Sequence, residues 1–328
     1  MRSSVLAAAG ACLCAAAIAL GAIGGTASNF TSSATNTGST FSAATVNQAP
    51  EVARSVIARN VSASGSLTRS AKFYVYAQAT DDSAVSTVKA TLTNITGSST
   101  AVSLVAGSWT VAGATYNYRS AQLTASSSLS GSSKTYTVTA TDAKSLTDTF
   151  DGTVAVDTTS PQPSSIVTTN RSGGTAGRAE QGDSITYTYN EAIDPESILA
   201  GWNGASTDVQ VGIIDSSSDY VQVYAPSATN PDTPTNLGKV DLSQGGFTNS
   251  GYAVFGLTSA DNTPSTMVMS NANKTITVTF GSLDYGSVNT VNNFATERWT
   301  PVAATLDLAG NAVVTSTITA GGGSHKAL

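Results

Sequence analysis

Apolar and polar residues alternate in short runs along most of the chain. Phe73, Val75 and Ala77 alternate with Tyr74, Tyr76 and Gln78, and Val88, Ala90 and Leu92 alternate with Lys89, Thr91 and Thr93. Tyr136, Val138 and Ala140 repeat the period, and a further run extends from Phe150 to Val156. A period of two turns one set of side chains toward a core and the other toward solvent, so each run predicts a half-buried strand. Met267-Val268-Met269 and then Ile276, Val278 and Phe280 continue the pattern in the second half. Gly, Ser and Asp separate the runs, and nothing after the first 27 residues keeps a helical period. The expected fold class is all-β, built from antiparallel sandwiches.

The alternation breaks near the middle of the chain. It ends at Asp157, and Pro161 and Pro163 then prevent a simple continuation into the next strand. This predicts a hinge between two β-sandwich domains, 50–159 and 160–318. Within the second, 200–265 carries Trp202, Asn203-Gly204 and Gly245-Gly246 and reads as insertion loops, where such folds place recognition. Residues 319–328 read as a flexible tail.

The N-terminus follows different rules. Arg2, an apolar run from Val5 to Ile23 and the small residues Gly24 to Ala27 read as a signal peptide, 1–27, cut between Ala27 and Ser28. A run of this length also just spans a bilayer, so an uncleaved anchor remains open. Residues 28–49 read as an extended polar tether, or as a segment that adds to a neighbouring molecule's sheet edge once cleavage frees it.

Several of these stretches resemble known families. Val156-Asp157-Thr158-Thr159-Ser160-Pro161 is similar to the joint between tandem immunoglobulin-like repeats of bacterial surface proteins. Residues 79–90, with Asp81, Asp82 and Val85, resemble a turn and strand of those repeats, and 134–143 resemble their Tyr-x-Val-x-Ala-x-Asp strand, with Lys144-Ser145 replacing the usual Gly-Asn. Residues 181–198 resemble the opening of S-layer-type immunoglobulin-like domains, and Asp307-Leu308-Ala309-Gly310-Asn311 resembles their closing turn. Residues 26–46 are similar to the leader of the camelysin and biofilm-matrix-fibre group, which a SipW-type signal peptidase processes. The resemblance implies two immunoglobulin-like sandwiches and an export route. It does not carry over the fibre-forming activity, because that group has a jelly-roll body.

Composition narrows the chemistry. Charged residues make up 11% of the chain, against about a quarter in ordinary soluble proteins. The net charge is -6 with no basic cluster, which disfavours nucleic acid and anionic membrane as partners. Membrane contact is expected only through the signal segment, if it stays uncut. Both cysteines, Cys12 and Cys14, lie in that segment, so the remainder has no thiol. The one histidine, His325, sits in the tail, where it cannot be held as a triad or metal-site residue requires.

Carboxylates are left. Glu191, Asp194 and Glu196 are close in sequence, and a pair of carboxylates can hydrolyse a glycosidic bond. In the resembling families this pattern turns a chain leaving a strand, with the Asp holding backbone donors. Calcium is the other candidate, because a hard cation collects carboxylate and carbonyl oxygens and stiffens extracellular joints. A first candidate set is Glu51, Asp82, Asp142 and Asp157 near the hinge, and a second calcium or turn set is Glu191, Asp194, Asp307 and Asn311. For sugar stacking, Trp109 and Trp299 read as core, Tyr116 and Tyr118 as sharing one strand face, and Trp202 as the exposed indole.

The sequence therefore points to a non-catalytic secreted or cell-surface protein with a structural or adhesive role, whose partner is an extracellular protein or polysaccharide. A polysaccharide-binding module centred on Trp202 and a glycosidase using Glu191 and Asp194 stay open as alternatives.

Overall fold

The computed structural model describes residues 35–36, 39–40, 46–227, 233–248, 251–257, 262–321, 323 and 328. The proposed signal peptide and the Ala27–Ser28 cut lie outside the described residues, as does most of the tether. Met1–Gln48 and Ala49–Leu328 are separate compact units. In the first, β1 (Thr35–Asn36) pairs antiparallel with β2 (Ser39–Thr40). Among the described residues no helix is long and apolar enough to cross a membrane.

The larger unit is all-β and contains two sheets, each curled around its own apolar core. The first comprises β3 (Glu51–Ala58), β4 (Ser66–Leu67), β5 (Lys72–Thr80), β6 (Val85–Thr91), β7 (Val102–Val111), β8 (Ala114–Ser120), β9 (Leu123–Thr124), β10 (Ser133–Asp142) and β11 (Thr147–Val156). Their order is β3-β5-β8-β7-β6-β10-β11-β4, with β9 on β5. The alternating runs supply the core: Phe73, Val75 and Ala77 meet Val88, Ala90, Val138, Ala140 and Val154 inside. The turn between β7 and β8 is Ala112-Gly113, both at positive φ, as a two-residue hairpin with the native strand twist requires.

The second sheet comprises β12 (Pro163–Thr169), β13 (Ser184–Tyr189), β14 (Thr207–Ile214), β15 (Tyr220–Tyr224), β16 (Pro234–Asp241), β17 (Tyr252–Phe255), β18 (Ser265–Ser270), β19 (Thr275–Thr279), β20 (Leu283–Tyr285), β21 (Arg298–Thr300) and β22 (Ile318–Thr319). The path runs β12-β13-β19-β18-β14-β15-β16-β21-β22, and β17 pairs with both β14 and β20. Trp299 is its central side chain: Tyr187 and Tyr189 meet the indole edge-on at 5.2 and 4.9 Å, and Nε1 donates to the Leu237 carbonyl at 2.7 Å.

The 200–265 stretch differs from the expected insertion loops. It contains β14 to β17, and Val209, Val211, Ile213, Val221, Val223, Leu237 and Val240 are all core residues. A strand buried on both faces loses the alternation that reveals a half-buried one. In β14, Gln210 is buried as completely as its apolar neighbours.

Candidate functional site

The hinge residues and the closing turn of the second body meet at the joint between the two sheets. The chain leaves β11 at Val156, and Asp157 turns it by accepting the Thr159 amide on Oδ1 at 2.9 Å. The following residues are held from the second body: the Pro161 carbonyl accepts from the Val314 amide at 2.8 Å, and Gln162 exchanges bonds with Asn190. In the closing turn, Asp307 Oδ1 accepts the amides of Gly310 at 2.6 Å and Asn311 at 2.8 Å. Its Oδ2 accepts Asn311 Nδ2 at 2.8 Å. That same nitrogen donates to the Asp157 carbonyl at 3.1 Å, so the turn grips the hinge directly.

The first body reaches across the joint at two places. Thr68 donates its amide to the Ala309 carbonyl at 2.9 Å and its hydroxyl to Asn311 Oδ1. Arg59 Nη1 lies 3.0 Å from Asp194 Oδ2 and also donates to the Asp307 carbonyl at 3.0 Å, while Asn60 Nδ2 donates to the same Asp194 oxygen at 2.8 Å. Asp194 additionally caps the single helical turn Pro195–Ile198 through the Glu196 amide. Its side chain is 2% exposed. Burial pushes its carboxyl above the ordinary range, and this outweighs the opposing pull of Arg59 and Asn60.

One carboxylate oxygen each of Asp157, Glu191 and Asp307 lies within 4.8 Å of the others beside this network. Glu191 Oε1 is cut off from solvent and has no hydrogen-bond partner. Burial raises the Glu191 carboxyl first, and the charges of Asp307 and Asp157 raise it further against Lys274. Burial also raises Asp307, against the bonds from Asn311 and Gly310. Three converging carboxylates could supply part of the six to eight oxygens a calcium ion takes. Asp307 has most of its lone pairs committed, so Glu191 and Asp157 hold the free ones.

The two sequence-derived calcium sets fare differently. Of Glu51, Asp82, Asp142 and Asp157, only Asp157 reaches the joint. Asp142 and Asp157 sit at opposite ends of the β10–β11 hairpin, whose register runs from Ser133↔Ala155 to Thr141↔Thr147. A ten-residue strand spans about 33 Å, too far for one ion. Glu51 lies opposite Thr80, Asp82 is exposed, and Asp142 is spent on the Lys144 and Leu146 amides, each at 2.8 Å. From the second set, Glu191 and Asp307 converge, Asn311 is the turn's hinge clamp, and Asp194 is committed to Arg59 and Asn60. Arg59, Asn60 and Thr68 carry no signal in the sequence, because their partners lie 134 to 248 residues away.

The aromatic expectations also change. Trp202 is 4% exposed rather than open, because Gly201 and Gly204, both at positive φ, fold the loop inward and Nε1 donates to the Ala205 carbonyl at 2.6 Å. Trp109 rests against Gly107, with the Arg119 guanidinium over its ring at 4.8 Å. Tyr116 and Tyr118 do not share a face. Tyr116 lies in an outer cluster with Tyr76, while Tyr118 packs on the main core. No indole therefore offers a free stacking face. No family model matches the chain, and no curated protein matches it either.

Proposed function

We propose that this chain is a non-catalytic, secreted or cell-surface protein of two immunoglobulin-like sandwiches behind a cleaved signal segment, acting as a structural or adhesive element. The observation that carries the reading is the joint. Asp194, buried and bonded to Arg59 and Asn60, and Asn311, bonded to Thr68 and the Asp157 carbonyl, fasten two cores into one unit. A stiff pair of β bodies with polar Ser/Thr surfaces suits a spacer or adhesive presented outside the cell, its partner an extracellular protein or polysaccharide. The same joint is the proposed calcium position, with Asp157, Glu191 and Asp307 as ligands.

The intact mass of the native protein, measured separately in culture medium and in washed cells, tests the export reading. A chain beginning at Ser28 in the medium supports it, and a full-length chain confined to the cytosol ends it. Thermal unfolding with calcium and with chelator tests the ion: a midpoint raised by calcium in the wild type but not in Glu191→Gln supports the site. Co-sedimentation with insoluble glycans separates a polysaccharide partner from a protein one.

A further inference from the structure

Of the close aromatic pairs among the described residues, one combines parallel rings with solvent access. Tyr252 on β17 and Tyr285 on β20 stack with centroids 4.9 Å apart and ring planes 21° from parallel, and Tyr285 is 46% exposed. The two rings therefore lie face to face across the β17–β20 pair, where Val254 stands opposite Tyr285. The other tyrosine pairs lack this arrangement: Tyr74–Tyr76 and Tyr76–Tyr116 lie at 6.1 and 6.0 Å with planes tilted by 56° and 53°, and Tyr76 is 3% exposed.

The location gives such a pair something to do. β20 has three residues and pairs only with β17, through a register broken between Val254 and Phe255. So short a ladder supplies little cooperative hydrogen bonding. The stacked rings tie the two strands together beside the bond from the Leu257 amide to Asp284 Oδ2 at 2.6 Å.

We propose that Tyr252 and Tyr285 are an oxidative cross-linking site, joined by hydrogen peroxide in the presence of a haem peroxidase. Each phenol gives up one electron and its hydroxyl proton, and the two phenoxyl radicals couple through the ring carbons ortho to oxygen. The two protons on those carbons shift to restore both hydroxyls. One peroxide takes the two electrons and two protons and leaves as two waters. Holding the rings in contact converts a bimolecular coupling into an intramolecular one, which favours this pair over coupling between molecules. The resulting bond closes the loop between residues 252 and 285 and restricts the unfolded chain.

The test is to expose the full chain to dilute peroxide with a haem peroxidase and to read intact mass, dityrosine fluorescence and peptide maps. The expected product is a monomer lighter by two hydrogens, with the cross-link mapped to Tyr252 and Tyr285, and with a higher denaturation midpoint. Tyr252→Phe and Tyr285→Phe keep the stacked ring and the fold and should each abolish the monomeric product. Dityrosine that persists in the monomer of either variant, maps to another pair, or forms only in dimers overturns the proposal.

Discussion

Arg59 and Asp194 lie 135 positions apart in the chain, and their side chains meet at 3.0 Å with exposures of 12% and 2%. They belong to different cores. Removing the guanidinium leaves a buried carboxylate with Asn60 as its only remaining partner from the first body. Arg59→Met is expected to destabilise the chain by about 3–5 kcal/mol, the usual consequence of stranding a buried charge. Urea unfolding checks this, and the Arg59→Met/Asp194→Leu double variant should recover part of the loss.

Acid should stabilise this protein over part of the pH range. Glu191, Asp194 and Asp307 all have carboxyl groups raised above their ordinary values, chiefly by burial. A carboxyl raised in the folded state binds its proton more readily there than in the unfolded chain. Stability then falls as pH rises from the ordinary value, 4.5 for Glu191, through the raised folded value. Lowering the pH toward that ordinary value should therefore raise the thermal midpoint. Glu191→Gln should flatten the dependence, and a midpoint that falls steadily with acid in the wild type would refute it.

Gly310 is expected to tolerate no side chain. It sits at φ +102, and an added Cβ would lie 2.8 Å from Arg59 Nε. Gly310→Ala combines backbone strain with a clash across the joint and should cost about 1–3 kcal/mol, read as a lower urea midpoint.

Tyr187 offers the opposite case. Its hydroxyl is fully buried without a hydrogen-bond partner, and desolvation holds the phenol well above its ordinary pKa. Tyr187→Phe keeps the edge contact with Trp299 and removes the unsatisfied group, so it should stabilise by about 1 kcal/mol or more. Calorimetry on the pair of proteins decides.

Trp202→Ala should act on the fold and not on glycan retention. Removing a core indole costs about 3–5 kcal/mol, while co-sedimentation with insoluble glycans, measured where the variant is folded, should stay at the wild-type level.

The strands of the first body were legible because one face of each meets solvent: Phe73, Val75 and Ala77 are buried and Tyr74 and Gln78 are not. The same reading failed in β14, where both faces are covered and Gln210 and Gly212 look like loop residues. The turn Asp307 to Asn311 was legible as a turn, since its carboxylate bonds amides only three and four residues away. Its grip on Thr68 and on Asp157 was not, because contacts over such separations leave no local period. Trp202 was misjudged for a related reason: flanking glycines announce a bend but not which way it folds.

β3 and β11 run side by side in the same direction. Asp148 on β11 accepts the Val52 amide near their starts, and Gly65 bridges Ile57 and Ala155 near their ends. The chain enters the first body through β3 and leaves it through β11. Tension applied along the polypeptide must therefore drag these two strands past each other lengthwise, loading the bridging bonds together instead of peeling them one at a time. A body strung this way is expected to yield all at once under pull instead of strand by strand.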